Sequence, residues 1–166
     1  MRLSFKPDQK AGEKLAAWWR DLEGNPGKRA DLKRCRTVSD VIMTPAFMRF
    51  YHKLKKDLPN CDVRGEQLAA VVGLVARIEK AETGDPLAKR MARPKGDSAV
   101  VSELRFRRLL QCDRNELYGA LIRILNLLDK TADLHDLAES VYYWGDQVKK
   151  DWAYTYFPLA PEKKSA

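Results

Sequence analysis

The sequence predicts an all-α fold, a helical bundle of about six main helices. Three observations predict it. Apolar residues recur at intervals of three and four in stretch after stretch. No segment alternates apolar and polar residues for long enough to make a strand. Asn-Gly and Asp-Gly pairs, the commonest tight hairpin turns, are absent from the 166 residues.

Lys6-Pro7-Asp8 opens the first helix, and Leu15, Trp18, Trp19 and Leu22 follow at i, i+3, i+4 and i+7. Two adjacent tryptophans on such a stripe read as core, not as a platform for stacking bases. Gly24-Asn25-Pro26-Gly27 ends the helix. Residues 28–36 then place five cations and one anion in nine positions, with Ala30, Leu32 and Cys35 as anchors. This run reads as a short helix or turn on the surface.

Thr44-Pro45 supplies a cap and a proline at the first helical position. Phe47, Phe50, Tyr51, Leu54 and Leu58 form the stripe that follows, and Pro59-Asn60 stops it. Gly65 to Thr83 reads as one continuous helix with Leu68, Val71, Val72, Val75 and Ile78 inward. Residues 84–97 break the pattern. Two Gly/Pro clusters bracket a basic loop carrying Lys89, Arg90, Arg93 and Lys95. It reads equally as a loop that orders on a polyanion and as a plain exposed linker. It divides the chain into an N-terminal helical half, 1–83, and a C-terminal helical half, 98–158, before a tail at 159–166.

The stretch from Ser102 to Arg114 carries the sharpest signal. On a helix, Phe106, Leu109 and Leu110 fall on one side, while Arg105 and Arg108 lie on the other above Cys112. Arg107 sits to the flank. The outer face is therefore guanidinium, a planar, permanently charged fork that matches phosphate oxygens. Taken alone, the helix fits a solvated face with Glu103 and Asp113 as local partners equally well. Asp113 to Glu116 then reads as a capping box. It opens a helix with Leu117, Leu121, Ile124, Leu125 and Leu128 on one stripe and Arg123 on the opposite side. Asp133 caps a last, long helix, with Leu134, Leu137, Val141, Trp144, Val148 and Trp152 spaced like a coiled-coil seam. Lys149 and Lys150 sit near its end, and Tyr156-Phe157 finish the ordered chain before Pro158.

The charge balance, 31 Lys+Arg against 23 Asp+Glu, favours a polyanionic partner. No apolar run approaches bilayer length and the N-terminus has no apolar leader core, so the expectation is a cytoplasmic protein with no membrane role. Cys35, Cys61 and Cys112 are odd in number and widely spaced, as free thiols are. His52 and His135 have no Cys or His at ligand spacing, so no metal is expected. Phosphate-cradling glycine motifs are missing, and clustered carboxylates for a metal-dependent nuclease are missing too. Asp133 and Asp136 form the one imaginable carboxylate pair, and the first is better explained as a cap. The expectation is a non-enzyme without a cofactor. A helical protein-interaction module, its basic face docked on an acidic partner, is the rival reading.

Several elements in this order resemble the CasB family, the small subunit of the type I-E CRISPR Cascade surveillance complex. They are Trp18 to Leu22, Gly27 with Ala30 to Arg34, Pro45-Ala46-Phe47, and Leu104 to Leu110. Leu121 to Leu125 and Tyr143-Trp144-Gly145 to Trp152 complete the set, before Tyr156-Phe157. The order and spacing, not any one motif, carry the resemblance. It implies an all-helical subunit of a crRNA-containing ribonucleoprotein active in antiviral defence. The implied partners are the backbone and large subunits, a second copy of the chain, target DNA and the displaced strand of the R-loop. The implied basic positions are Arg34, Arg105, Arg108 and Arg123, with Lys33, Lys149 and Lys150 alongside them. Asp146 and Gln147 follow Gly145 where the family's last helix is more basic.

Overall fold

The computed structural model describes residues 1–162. The first helices are α1 (Lys10–Glu23), α2 (Pro26–Lys33), α3 (Val38–Ile42), α4 (Pro45–Asp57) and α5 (Gly65–Val75). There follow α6 (Leu87–Ala92), α7 (Glu103–Leu110), α8 (Arg114–Leu127), α9 (Leu134–Tyr142) and α10 (Asp146–Leu159). Two minimal ladders accompany them. β1 (Lys80–Ala81) pairs in parallel with β4 (Thr131–Ala132), and β2 (Pro94–Lys95) pairs antiparallel with β3 (Ser98–Ala99). The fold is all-α, with more and shorter helices than periodicity alone suggests.

The core is built around α5. Leu68, Val71, Val72, Leu74 and Val75 are all fully buried, because α3, α4, α8 and α9 pack round the helix. A helix apolar on every side is stable only where water is excluded on every side. Each such side chain contributes roughly 1.5–3 kcal/mol by leaving water. Gly73 lets its neighbours pack close against α5: a Cβ there would stand 2.8 Å from Val41 Cγ2 and from Tyr118 Cε1.

Cap residues set several boundaries as expected. Thr44 accepts from the Phe47 N–H, Asp113 and Glu116 form a reciprocal capping box, and Asp133 accepts from the N–H groups of His135 and Asp136. Trp19 is core, its indole N–H donating to the Ile78 carbonyl at 3.1 Å, and Trp18 packs half-buried against Phe50.

Four expectations need correction. The helix expected over residues 65–83 stops at Val75. Arg29 takes the Ala76 carbonyl at 3.1 Å and also the Ile78 carbonyl, and Glu79 N–H turns to Lys130. These partners satisfy the backbone beyond the helix end. The helix expected from Leu134 to Trp152 is two helices. Arg114 gathers the carbonyls of Val141, Tyr142 and Trp144, and Gly145 begins α10 afresh. α10 continues through Pro158 to Leu159, so Tyr156-Phe157 do not end the ordered chain. Of the tail expected at 159–166, residues 163–166 lie outside those described. Residues 84–97, expected as a basic loop, contain α6, with Leu87, Ala88, Met91 and Ala92 buried against α10. Its Arg90 is buried too, paired with Glu82 at 2.7 Å and Asp85 at 3.5 Å.

Candidate nucleic-acid interface

Ser102 caps α7 by accepting the Arg105 N–H at 3.3 Å. The cap fixes the helix phase, so Phe106 and Leu109 go into the core and Arg105 and Arg108 face outward. After a turn at Gln111 and Cys112, the Asp113–Glu116 box starts α8 beside α7. Leu117, Leu121, Ile124 and Leu125 then bury one face of α8 and leave Arg123 exposed on the other.

The two helices frame an open cleft of about 460 Å³. Arg105, Arg108 and Arg123 stand round it, and Leu109, Ala120, Ile124 and Leu127 supply its apolar surface. A second, shallower cleft of about 670 Å³ adjoins it. Lys33, Arg34, Arg36, Arg77 and again Arg123 line this one. Arg123 therefore belongs to both. Five of the positions marked in the sequence, Lys33, Arg34, Arg105, Arg108 and Arg123, meet around one pair of clefts.

The two remaining lysines differ. Lys149 lies with its ammonium 5.5 Å from the centre of the Trp144 ring, and the indole N–H of Trp144 donates to the Cys112 carbonyl at 2.9 Å. That chain of contacts brings Lys149 to the Cys112 end of the first cleft. Lys150 is exposed on α10 and lines neither cleft.

The electrostatics separate two classes of arginine. Arg29, Arg77, Arg90 and Arg114 serve the fold, because each gives its guanidinium to backbone carbonyls. Among the described residues, no carboxylate stands within ion-pair distance of Arg36, Arg105, Arg107, Arg108, Arg123, Lys149 or Lys150. Lys33 is paired with Glu79 at 3.3 Å and Arg34 with Asp31 at 3.1 Å, both at the surface. Exposed pairs of this kind are weak and exchange readily for another anion.

Several side chains of types used in catalysis hold structural contacts. Burial pushes the Cys112 thiol up, and nearby Glu116 adds to it, so the sulfur is a neutral donor and not a nucleophile. Its Sγ–H lies 3.6 Å from the Arg108 carbonyl. Asp133 caps α9 and also accepts the Gly84 N–H at 2.8 Å. Burial raises Asp136, which accepts the Leu87 N–H at 2.8 Å. The imagined carboxylate pair thus pins α6 to α9. His135 Nδ1 sits 2.8 Å from the Phe5 carbonyl, and His52 lies exposed beside Tyr51. Among the described residues, no group of three or more His, Cys, Asp or Glu side chains is placed to hold a metal ion. Nor is any helix there long and apolar enough to cross a membrane.

Reasoning from sequence did not single out Arg36 or Arg77 as cleft residues. Arg36 lies within the cationic run 28–36, so composition held the signal. Arg77 carried none, because it follows an apolar helix.

The family described as CRISPR-associated protein Cse2 matches residues 28–157, which takes in both clefts. The chain belongs to the Cse2 family. No curated protein matches it in sequence. Among solved structures, CasB from Thermus thermophilus is similar to this Cse2-family chain with a TM-score of 0.70 and 22% identity. That likeness covers 90% of this chain and 99% of the other. A chain in the crystal structure of E. coli Cascade bound to a PAM-containing double-stranded DNA target has the same TM-score and 20% identity. It covers 87% of this chain and 94% of that one. At these identities the two structures establish a shared Cse2 fold. The family match is what sets the chain among CRISPR-associated proteins.

Proposed function

We propose that the chain is a non-catalytic small subunit of a CRISPR Cascade effector. It steadies target DNA and the displaced strand of the R-loop through sequence-independent phosphate contacts. The observation that carries this reading is the position of Arg123, shared by two adjoining basic clefts that draw cations from α2, α7 and α8. Guanidinium groups from separate helices thereby meet in one electropositive track. Such a track suits a backbone and not a base sequence.

Membership of the Cse2 family supports the assignment to an RNA-guided system. In such systems base pairing reads sequence and protein holds backbone. The partners in this reading are the crRNA-bearing backbone subunits, the large subunit and a second copy of the chain, in the cytoplasm. Strand exchange in an R-loop is nearly balanced in energy, so a modest contribution from phosphate contacts is enough to tip it. With about four phosphates engaged, the log-log salt slope is near −3 for a single strand and steeper for duplex.

The test is co-expression with the other Cascade subunits and a short guide RNA, followed by measurement of R-loop lifetime. Arg108→Glu or Arg34→Glu is expected to assemble normally and release target faster. A variant that assembles and holds target like wild type would count against the reading. Loss of assembly without any effect on DNA would favour docking of the basic face on an acidic protein.

A further inference from the structure

The cleft between α7 and α8 is more than a basic surface. Phosphates need only cations, and a flat or convex face would present them. Here Arg105, Arg108 and Arg123 surround aliphatic surface that is not covered by the protein itself. Leu127, at the C-terminal end of α8, is 36% exposed. Half-buried Ala120 lies two α-helical turns before it, on the same face. The volume, about 460 Å³, is in the range of small-ligand sites, roughly 300–1,000 Å³. Unpaired guanidinium on the rim sets the charge of the occupant, which must be an anion, and the floor requires that part of it be apolar.

A stacked and paired base offers neither face to such a floor. An unstacked base in a single strand offers both, with its own phosphates on either side. Among the described residues that line the cleft none is aromatic, so aliphatic contact and the planes of the guanidinium groups do the stacking. Asn126 is the one side-chain amide among the described lining residues, too little to read a base edge in more than one way.

We propose that this cleft seats one unstacked nucleobase of a single strand against Leu127 and Ala120, while the flanking phosphates meet Arg105, Arg108 and Arg123. The inference rests on the phosphate-track reading and adds a preference for single strands with bases over bare backbone.

The test uses the full chain and fluorescence anisotropy with three probes. They are a short oligothymidine, an abasic oligomer of equal length and charge, and a duplex of equal phosphate count. Wild type is expected to bind oligothymidine roughly fivefold more tightly than the abasic oligomer. Leu127→Gln should abolish that difference, read as the ratio of oligothymidine to abasic affinity within the variant. Ala120→Gln, which fills the cleft from within α8, should do the same. Equal binding of the base-bearing and abasic strands by wild type overturns the seating and leaves the phosphate track standing. A base preference that survives both variants overturns the assignment to this cleft. Tighter binding of duplex overturns it as well. Failure to bind any of the three overturns the phosphate track with it.

Discussion

Phe106 and Tyr156 lie face to face, their ring centroids 3.8 Å apart and their planes within 7° of parallel. Phe106 is the inward anchor of α7, and Tyr156 belongs to α10, near the other end of the sequence from the basic run. Phe157 closes the cluster edge-on, 5.5 Å from Phe106 and 5.4 Å from Tyr156. The guanidinium face of α7 is therefore aimed by an aromatic contact on its opposite side. Phe106→Ala removes the contact and leaves a cavity. The expected cost is about 3–5 kcal/mol. At this size that lowers the melting temperature by on the order of 10 °C, measured by thermal circular dichroism. Where the variant still folds, nucleic-acid affinity should fall as well, although no cation has been removed.

Arg123 and Arg107 make a matched pair of opposite expectation. Both are exposed arginines without a carboxylate partner among the described residues. Only Arg123 lines the clefts, and it lines both. Arg123→Glu should weaken binding to a random single strand by about tenfold at moderate salt and flatten the salt slope by about one unit. Arg107→Glu, an identical change in net charge, should have a much smaller effect. Equal losses in the two variants would mean that general charge, and not the track, governs binding.

The contrast between those arginines shows where the sequence is informative. Helix phase was legible, because Phe106 and Leu109 are apolar and their neighbours are not. Caps were legible too, since Thr44, Asp113 and Asp133 act through their own backbone neighbourhood. Helix ends set by distant side chains were not legible. Nothing near Val75 announces that Arg29 will donate to the Ala76 carbonyl, and nothing near Tyr142 announces Arg114. α6 was hidden for a different reason. Its Leu87-Ala88 and Met91-Ala92 pairs do repeat at four, but glycine, proline and four cations around them mimic a solvated loop. Arg90 is buried only because Glu82 and Asp85 lie within reach, which composition does not reveal. The candidate site shows the same division. Which helix faces were cationic could be read directly, but that Arg123 joins two clefts depends on packing between α2, α7 and α8.

Glu79 holds the ammonium of Lys33 at the edge of the second cleft. It accepts from Lys33 at 3.3 Å and from Lys130 at 3.4 Å, and these two hydrogen bonds hold its carboxyl below the usual range. A carboxylate held low contributes stability that is present at neutral pH and lost as the pH falls through its folded value. All three groups are at the surface, so that contribution is small. If the proposed track binds nucleic acid, the pair competes with it for Lys33. Glu79→Gln is expected to raise single-strand affinity roughly twofold at low salt and to steepen the salt slope, with little change in melting temperature. Unchanged affinity would show that Lys33 takes no part in the track.

The phenol of Tyr156 gives the fold an alkaline limit. Burial, with Glu103 adding to it, pushes the group up to about 12 from an ordinary value of 10.0. The phenol O–H donates to the Val101 carbonyl at 2.6 Å, a bond that exists only while the proton is present. The sign follows from proton counting. Between the unfolded and folded values the native state holds a proton that the unfolded chain has released, so stability falls as pH rises. Below the unfolded value both states are protonated and the contribution is complete. Denaturant midpoints should therefore hold steady toward pH 9 and decline from about pH 10 to about 12. Tyr118, Tyr142 and Tyr143 are also raised by burial, so the decline has several sources. Tyr156→Phe keeps the stack on Phe106 and removes the proton. It should start slightly less stable at neutral pH, lose less on going to high pH, and show one fewer late-titrating phenol by ultraviolet absorbance. An unaltered alkaline slope in Tyr156→Phe would place the sensitivity in the other three tyrosines.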